Sequence, residues 1–176
     1  MLSTSRAGYE QRIIPIGGLL VCDNPKVILC SHAIGMGMVL AACDPVACVG
    51  GLFHALLPEA RAHPSRAKEK PGLFLDAGLE ALEFTLRASG ALPSRLQYFA
   101  AGGTQVMGAS GNLNIGLRNT DTLHRLLAAQ GVTLSGANLG GYSCRSFYLA
   151  IESGAASVML SGHLNELPLC PQLTTT

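Results

Sequence analysis

Charge of either sign is scarce in this chain, and neither sign dominates. Twelve Lys and Arg against eleven Asp and Glu leave a formal net charge of +1, and charged residues are only 13% of the 176. The basic stripe that follows a phosphate backbone is therefore missing, so nucleic acid is not an expected partner. Long apolar runs are missing too. The stretch from Ile13 to Val21 is broken by Pro15 and Gly17-Gly18, and Met1 to Arg12 ahead of it is polar. Neither a signal peptide nor a membrane span is expected, and the location expected is cytoplasmic. No Cys-x-x-Cys pair occurs and the histidines do not fall at zinc-ligand spacing, which argues against a structural metal. No cofactor is expected. Six cysteines (Cys22, Cys30, Cys43, Cys48, Cys144 and Cys170) remain, read as reduced thiols in a chain too long and apolar to need a disulfide scaffold.

What is abundant is apolar residues, at 48%, and glycine, at 21 residues. That composition describes one globular domain rich in turns and strands rather than a helical bundle. The expected boundaries are an N-terminal tail over 1–12, a single domain over 13–165 and a C-terminal tail over 166–176. Strand-like runs fall at Ile13–Ile16, Leu19–Cys22, Lys26–Ser31, Met38–Cys43 and Cys48–Leu57, and later at Arg95–Ala101, Val132–Ser135, Arg145–Ile151 and Ala155–Leu160. Leu75, Leu79, Leu82 and Leu86 recur on one face and predict a helix over Gly72–Ser89; a second helix, capped by Asn119 or Thr120, ends at Gly131. Between two prolines, Glu59–Pro71 reads as a solvated, mobile loop. The fold class expected is α+β: a layered, sandwich-like β-strand core with two main helices packed outside.

Asp44-Pro45-Val46-Ala47 carries the turn chemistry of a hairpin. Taken as the loop, those four residues pair Cys43 with Cys48 and Gly37 with His54, and a shift of one brings Met36 or Met38 opposite the histidine. Val39, Ala41, Leu52 and Leu56 share one face of this hairpin and Met38, Leu40, Phe53 and Leu57 the other, so both faces call for a covering layer.

These residues also carry a resemblance. Asp44-Pro45-Val46-Ala47-x-Val49-Gly50-Gly51-x-x-His54-x-Leu56-Leu57-Pro58, then Ala101-Gly102-Gly103, Asn114-Ile115-Gly116-x-Arg118-Asn119 and Gly140-Gly141-x-x-x-Arg145-Ser146, follow in order and spacing. They resemble the CheD family of chemoreceptor glutamine deamidases. The resemblance implies a CheD-like cysteine-hydrolase scaffold, a Cys-His-Thr triad that hydrolyses receptor glutamine amides, and methyl-accepting chemoreceptors and a CheC-like phosphatase as partners. It places the base at His54 and the triad threonine at Ser31 or Cys30. The family's Gly-Ser-Cys would fall in Ser31–Met38, where the nucleophile position is Gly37, Met36 or, if the glycines are aligned, Val39; none of these is a nucleophile. The expectation is a catalytically impaired or inactive scaffold. The alternative is an active deamidase with its nucleophile displaced to Cys30.

Other readings stay open on the same residues. His54 is either a relic base or a hydrogen-bonded core histidine, and Cys30 either a displaced nucleophile or a buried, inert thiol. Cys43 and Cys48 are two small apolar side chains at a hairpin end, or a redox pair. Thr104, Gln105 and Met107 lie in a glycine-rich loop suited to meeting a partner. Arg145 is expected to tie carbonyls near its turn.

Overall fold

The computed structural model describes residues 7–106, 108 and 114–169. Among these residues ten strands and three α-helices follow one another as β1 (Glu10–Ile13), β2 (Leu19–Cys22), β3 (Val27–Ile34), β4 (Met38–Asp44), β5 (Val49–Ala55), α1 (Pro64–Glu69), α2 (Leu75–Ala88), β6 (Gln97–Gly102), α3 (Ile115–Ala129), β7 (Leu134–Leu139), β8 (Arg145–Ala150), β9 (Ala156–Leu160) and β10 (Leu167–Pro168). They form two five-stranded sheets, ordered β1-β3-β8-β9-β10 and β2-β5-β4-β6-β7. No helix among the described residues is long and apolar enough to cross a membrane.

Strand periodicity builds the layers. Val27 and Leu29 of β3 and Phe147 and Leu149 of β8 meet Val39, Ala41, Leu52 and Phe99 of the second sheet in the core between the sheets. The alternate residues of the second sheet, Met38, Leu40, Phe53 and Ala100, pack instead against Leu75, Leu79, Leu82 and Leu86 of α2 and Leu123 and Leu127 of α3. The architecture is thus the expected α+β one, two sheets face to face with both main helices outside the second. Both faces of the hairpin are divided as the period of two requires as far as Ala55, where β5 ends; Leu56 and Leu57 lie beyond the strand, and Leu56 is exposed instead of facing the core.

The hairpin register differs from the expected one by two residues. Asp44 pairs with Val49 and Val39 with His54, because Asp44 is the last strand residue and not the first of the loop. Its carboxylate accepts the Val46 and Ala47 N–H groups at 3.1 and 3.2 Å, and Cys48 turns the chain back with φ +53°. Cys43 therefore opposes Gly50, and the face-to-face Cys43/Cys48 pair is not formed. Their thiols lie instead near the carbonyls of Gly154 and Pro45. A shift of two preserves which face each side chain takes. Asp44 also anchors the hairpin end from outside: fully buried, it accepts from Leu92 N–H at 2.9 Å and pairs with Arg95 at 2.7 Å. The Arg95 hydrogen bonds hold its carboxyl well below the usual carboxylate range.

Other boundaries move for tertiary reasons. Glu10–Ile13, mostly within the stretch expected as a tail, pairs parallel with β3, whereas Ile14–Ile16 do not form strand. Leu167 and Pro168 pair with β9, and Leu169 reaches the inter-sheet core, so the C-terminal stretch expected as a tail is docked as far as 169. The second helix begins at Ile115, capped by the Asn114 side chain accepting Leu117 N–H at 3.1 Å, a turn earlier than Asn119 suggested. The segment expected as loop over Glu59–Pro71 contains α1, which buries none of its residues.

Candidate active site

Ser31 and His54 face each other across the inter-sheet core, Ser31 from the middle of β3 and His54 from β5. Ser31 Oγ lies 2.9 Å from His54 Nδ1 and 2.8 Å from the Ile14 carbonyl oxygen. A carbonyl cannot donate, so the hydroxyl proton of Ser31 points to Ile14 and the hydroxyl oxygen accepts from Nδ1–H. That fixes the neutral tautomer of His54 with a bare lone pair on Nε2. Burial suits this state: His54 is only 2% exposed and its pKa is pushed down to about 4 by loss of solvent. The strand around it is held by backbone, with His54 N–H bonded to Gly18 O and Gly17 N–H to His54 O.

Nε2 points at a glycine. A Cβ placed on Gly37 would lie 3.0 Å from His54 Nε2 and 2.7 Å from the Ala55 carbonyl oxygen. Gly37 is thus adjacent to the histidine on the diagonal, although Val39 takes the directly opposite place. Met36 turns its side chain outward and is 39% exposed.

The short loop that carries Gly37 has each of its carbonyls tied down. Gly35 O accepts from Thr104 N–H at 2.9 Å and Gly37 O from Gly103 N–H at 2.8 Å. Met36 O accepts from Asn119 Nδ2 at 2.8 Å, and the same amide also donates to Leu56 O at 3.1 Å. These contacts need close approach: a Cβ on Gly116 would meet Thr104 O at 2.1 Å, and one on Gly102 would meet Gly37 O at 2.3 Å. The glycine and asparagine segments at 101–103 and 114–119 therefore act as a clamp on the loop beside His54. Asn119 was not legible as a site residue, since an asparagine near a helix start reads first as a cap.

Cys30 points elsewhere. It follows Leu29 and precedes Ser31 in β3, so its side chain leaves on the opposite face, packed with Ile28, Tyr148 and Ala150 on the outside of the first sheet. Burial pushes its thiol pKa up to about 11, the reverse of what activates a nucleophile. The thiol that does approach the loop is Cys144, exposed, with Sγ 3.5 Å from a Cβ position on Gly35. Thr104 is buried, donating through Oγ1 to Ser143 O at 3.3 Å, and Gln105 N–H is bonded to Gly141 O; Met107 lies outside the described residues. Arg145 donates to the carbonyls of Asn138, Gly140 and Ser143, so it does tie its turn together. No cluster of metal-ligating side chains occurs among the described residues.

The family model described as CheD chemotactic sensory transduction matches residues 56–159, more than half of the chain. The chain belongs to the CheD family. Among curated CheD proteins, a probable chemoreceptor glutamine deamidase CheD of Solibacter usitatus is 34% identical over 93% of this chain and 97% of its own length. The chemoreceptor glutamine deamidase CheD of Thermotoga maritima is 33% identical over 90% and 98%, and a probable one of Thermococcus kodakarensis is 32% identical over 80% and 87%. The alignment with CheD relatives covers nearly all of the chain, whereas the matched part of the family model begins two residues after His54.

Proposed function

We propose that this protein is a CheD-like chemotaxis protein that keeps the histidine half of a deamidase site without its nucleophile. It acts in the cytoplasm by binding methyl-accepting chemoreceptors or a CheC-like phosphatase. The observation that carries this reading is Gly37 in front of His54 Nε2. Hydrolysis of a glutamine amide through an acyl-enzyme needs a thiolate or alkoxide to attack the side-chain carbonyl carbon and expel ammonia, with the imidazole moving the proton. A hydrogen atom stands where that group would be. Ser31 cannot take its place, since it is on the Nδ1 side, fully buried, and already donates to Ile14. Losing one member of a catalytic set that works as a unit lowers the rate by several orders of magnitude.

Purified chemoreceptor cytoplasmic fragments test both halves. Incubation with the protein releases no ammonia beyond the blank, while a pull-down retains the fragment or a CheC-like phosphatase. Ammonia release abolished by His54→Ala overturns the inactive reading, and Cys30→Ala and Cys144→Ala then identify the thiol responsible. Absence of affinity for both partners overturns the binding reading. Gly37→Cys supplies a thiol beside Nε2, and gain of ammonia release after Ala55 yields would support the assignment of position 37.

A further inference from the structure

Positive charge is concentrated in two segments of the chain. Residues 59–70 and 114–125 hold six of the chain's twelve Lys and Arg against three of its eleven acids, a net +3 in a chain whose total is +1. The two segments meet. Arg125 from α3 reaches Glu59 at 2.6 Å, and Arg61 reaches the same carboxylate at 2.9 Å. Two adjoining clefts of about 290 and 300 Å³ open there, both lined by Pro58, Glu59, Arg61 and Arg118. Arg118 is exposed and its guanidinium has no partner among the described residues. Two arginines share one carboxylate, and a third has none.

We propose that this arginine cleft is a docking surface for an acidic, amphipathic segment of a protein partner. Its carboxylates take the place beside Arg118 that no described side chain fills, and guanidinium forks match carboxylates in geometry as well as charge. The surroundings favour protein over nucleic acid. Leu56, Met36 and Leu117, 37–39% exposed, continue the surface next to the cleft, and Asn119 links the first two of these to α3. Glu59 and Asp121 within the cleft repel a continuous line of phosphates but leave room for spaced carboxylates. The proposal rests on the binding reading above and names the surface it uses, on the helix whose Asn119 holds the loop beside His54.

Fluorescence anisotropy with a synthetic helical peptide bearing glutamates on one face and leucines on the other tests it, alongside a chemoreceptor cytoplasmic fragment. The wild-type protein binds the acidic peptide, with affinity falling as salt rises, and does not bind its lysine counterpart. Arg118→Glu weakens binding about tenfold or more, while Arg118→Lys, which keeps the charge but loses the fork, weakens it less. Because Arg118 is exposed and has no side-chain partner among the described residues, both variants melt as the wild type does. Unchanged affinity in Arg118→Glu, or equal competition by duplex DNA or anionic vesicles, overturns the proposal. If the receptor fragment binds but Arg118→Glu is silent, this surface is wrong and the proposed function stands. If the peptide binds through Arg118 but receptor and CheC-like phosphatase do not, the surface stands and the partner assignment falls.

Discussion

Lowering the pH tests the state assigned to His54 in the folded protein. Burial takes its pKa from 6.5 to about 4. The folded state thus resists a proton that the unfolded chain accepts, so stability is intact above about pH 6.5 and is lost as pH falls towards about 4. At about 1.4 kcal/mol per pH unit, the full loss is about 3 kcal/mol, of which roughly 2 kcal/mol has gone by about pH 5. The part of that window above about pH 5 lies clear of ordinary carboxylate pKa values. Urea unfolding at about pH 7 and about pH 5, at constant ionic strength, reads the loss as a midpoint lowered by about 1 M for a slope near 2 kcal/mol/M. His54→Gln removes the titrating group, so the difference between its two midpoints is smaller by that amount. Imidazole nitrogen resonances supply the independent check, with the proton on Nδ1 at neutral pH. Equal pH dependence in wild type and His54→Gln, or a titration near 6.5 in the folded protein, would refute the tautomer and the burial assigned here.

Three further substitutions follow from particular contacts. Asp44→Asn removes the charge that Arg95 and the Leu92 N–H group face and costs about 3 kcal/mol, read by chemical denaturation; the wild-type contribution is lost as pH falls below the ordinary carboxylate range. Gly78→Ala would ordinarily favour a helix by about 1 kcal/mol. Here the added Cβ lies 2.4 Å from the Phe53 ring, and the net effect is a loss of about 1–3 kcal/mol with a lowered melting temperature. Asn119→Ala frees the carbonyls of Met36 and Leu56, costs about 1–3 kcal/mol, and speeds amide exchange in residues 35–38 more than in β8.

Much of the fold was legible because it rests on local rules. Period-two alternation assigned both faces of the β4/β5 hairpin, leucine spacing found α2, and Asp44-Pro45 marked the turn. The elements that were misread depend on distant partners. Glu10–Ile13 is strand only because β3 offers it an edge, and Leu167–Pro168 only because β9 does. The start of α3 was hidden because Asn119, a good capping residue by type, is instead spent bridging Met36 and Leu56.

The site divides in the same way. Reading along the chain was enough to put His54 on a buried strand, to show that no cysteine occupies 36, 37 or 39, and to make Ser31 and Cys30 rival neighbours of the histidine. Choosing between them took the packing of the two sheets. Adjacent strand residues leave on opposite faces, and it is sheet stacking that puts Ser31 inward against Nδ1 and Cys30 outward. It also decided that Gly37 meets Nε2 despite a hairpin register two residues away from the expected one. Side-chain proximity across two sheets is set by packing of segments far apart in the chain, which no local pattern encodes.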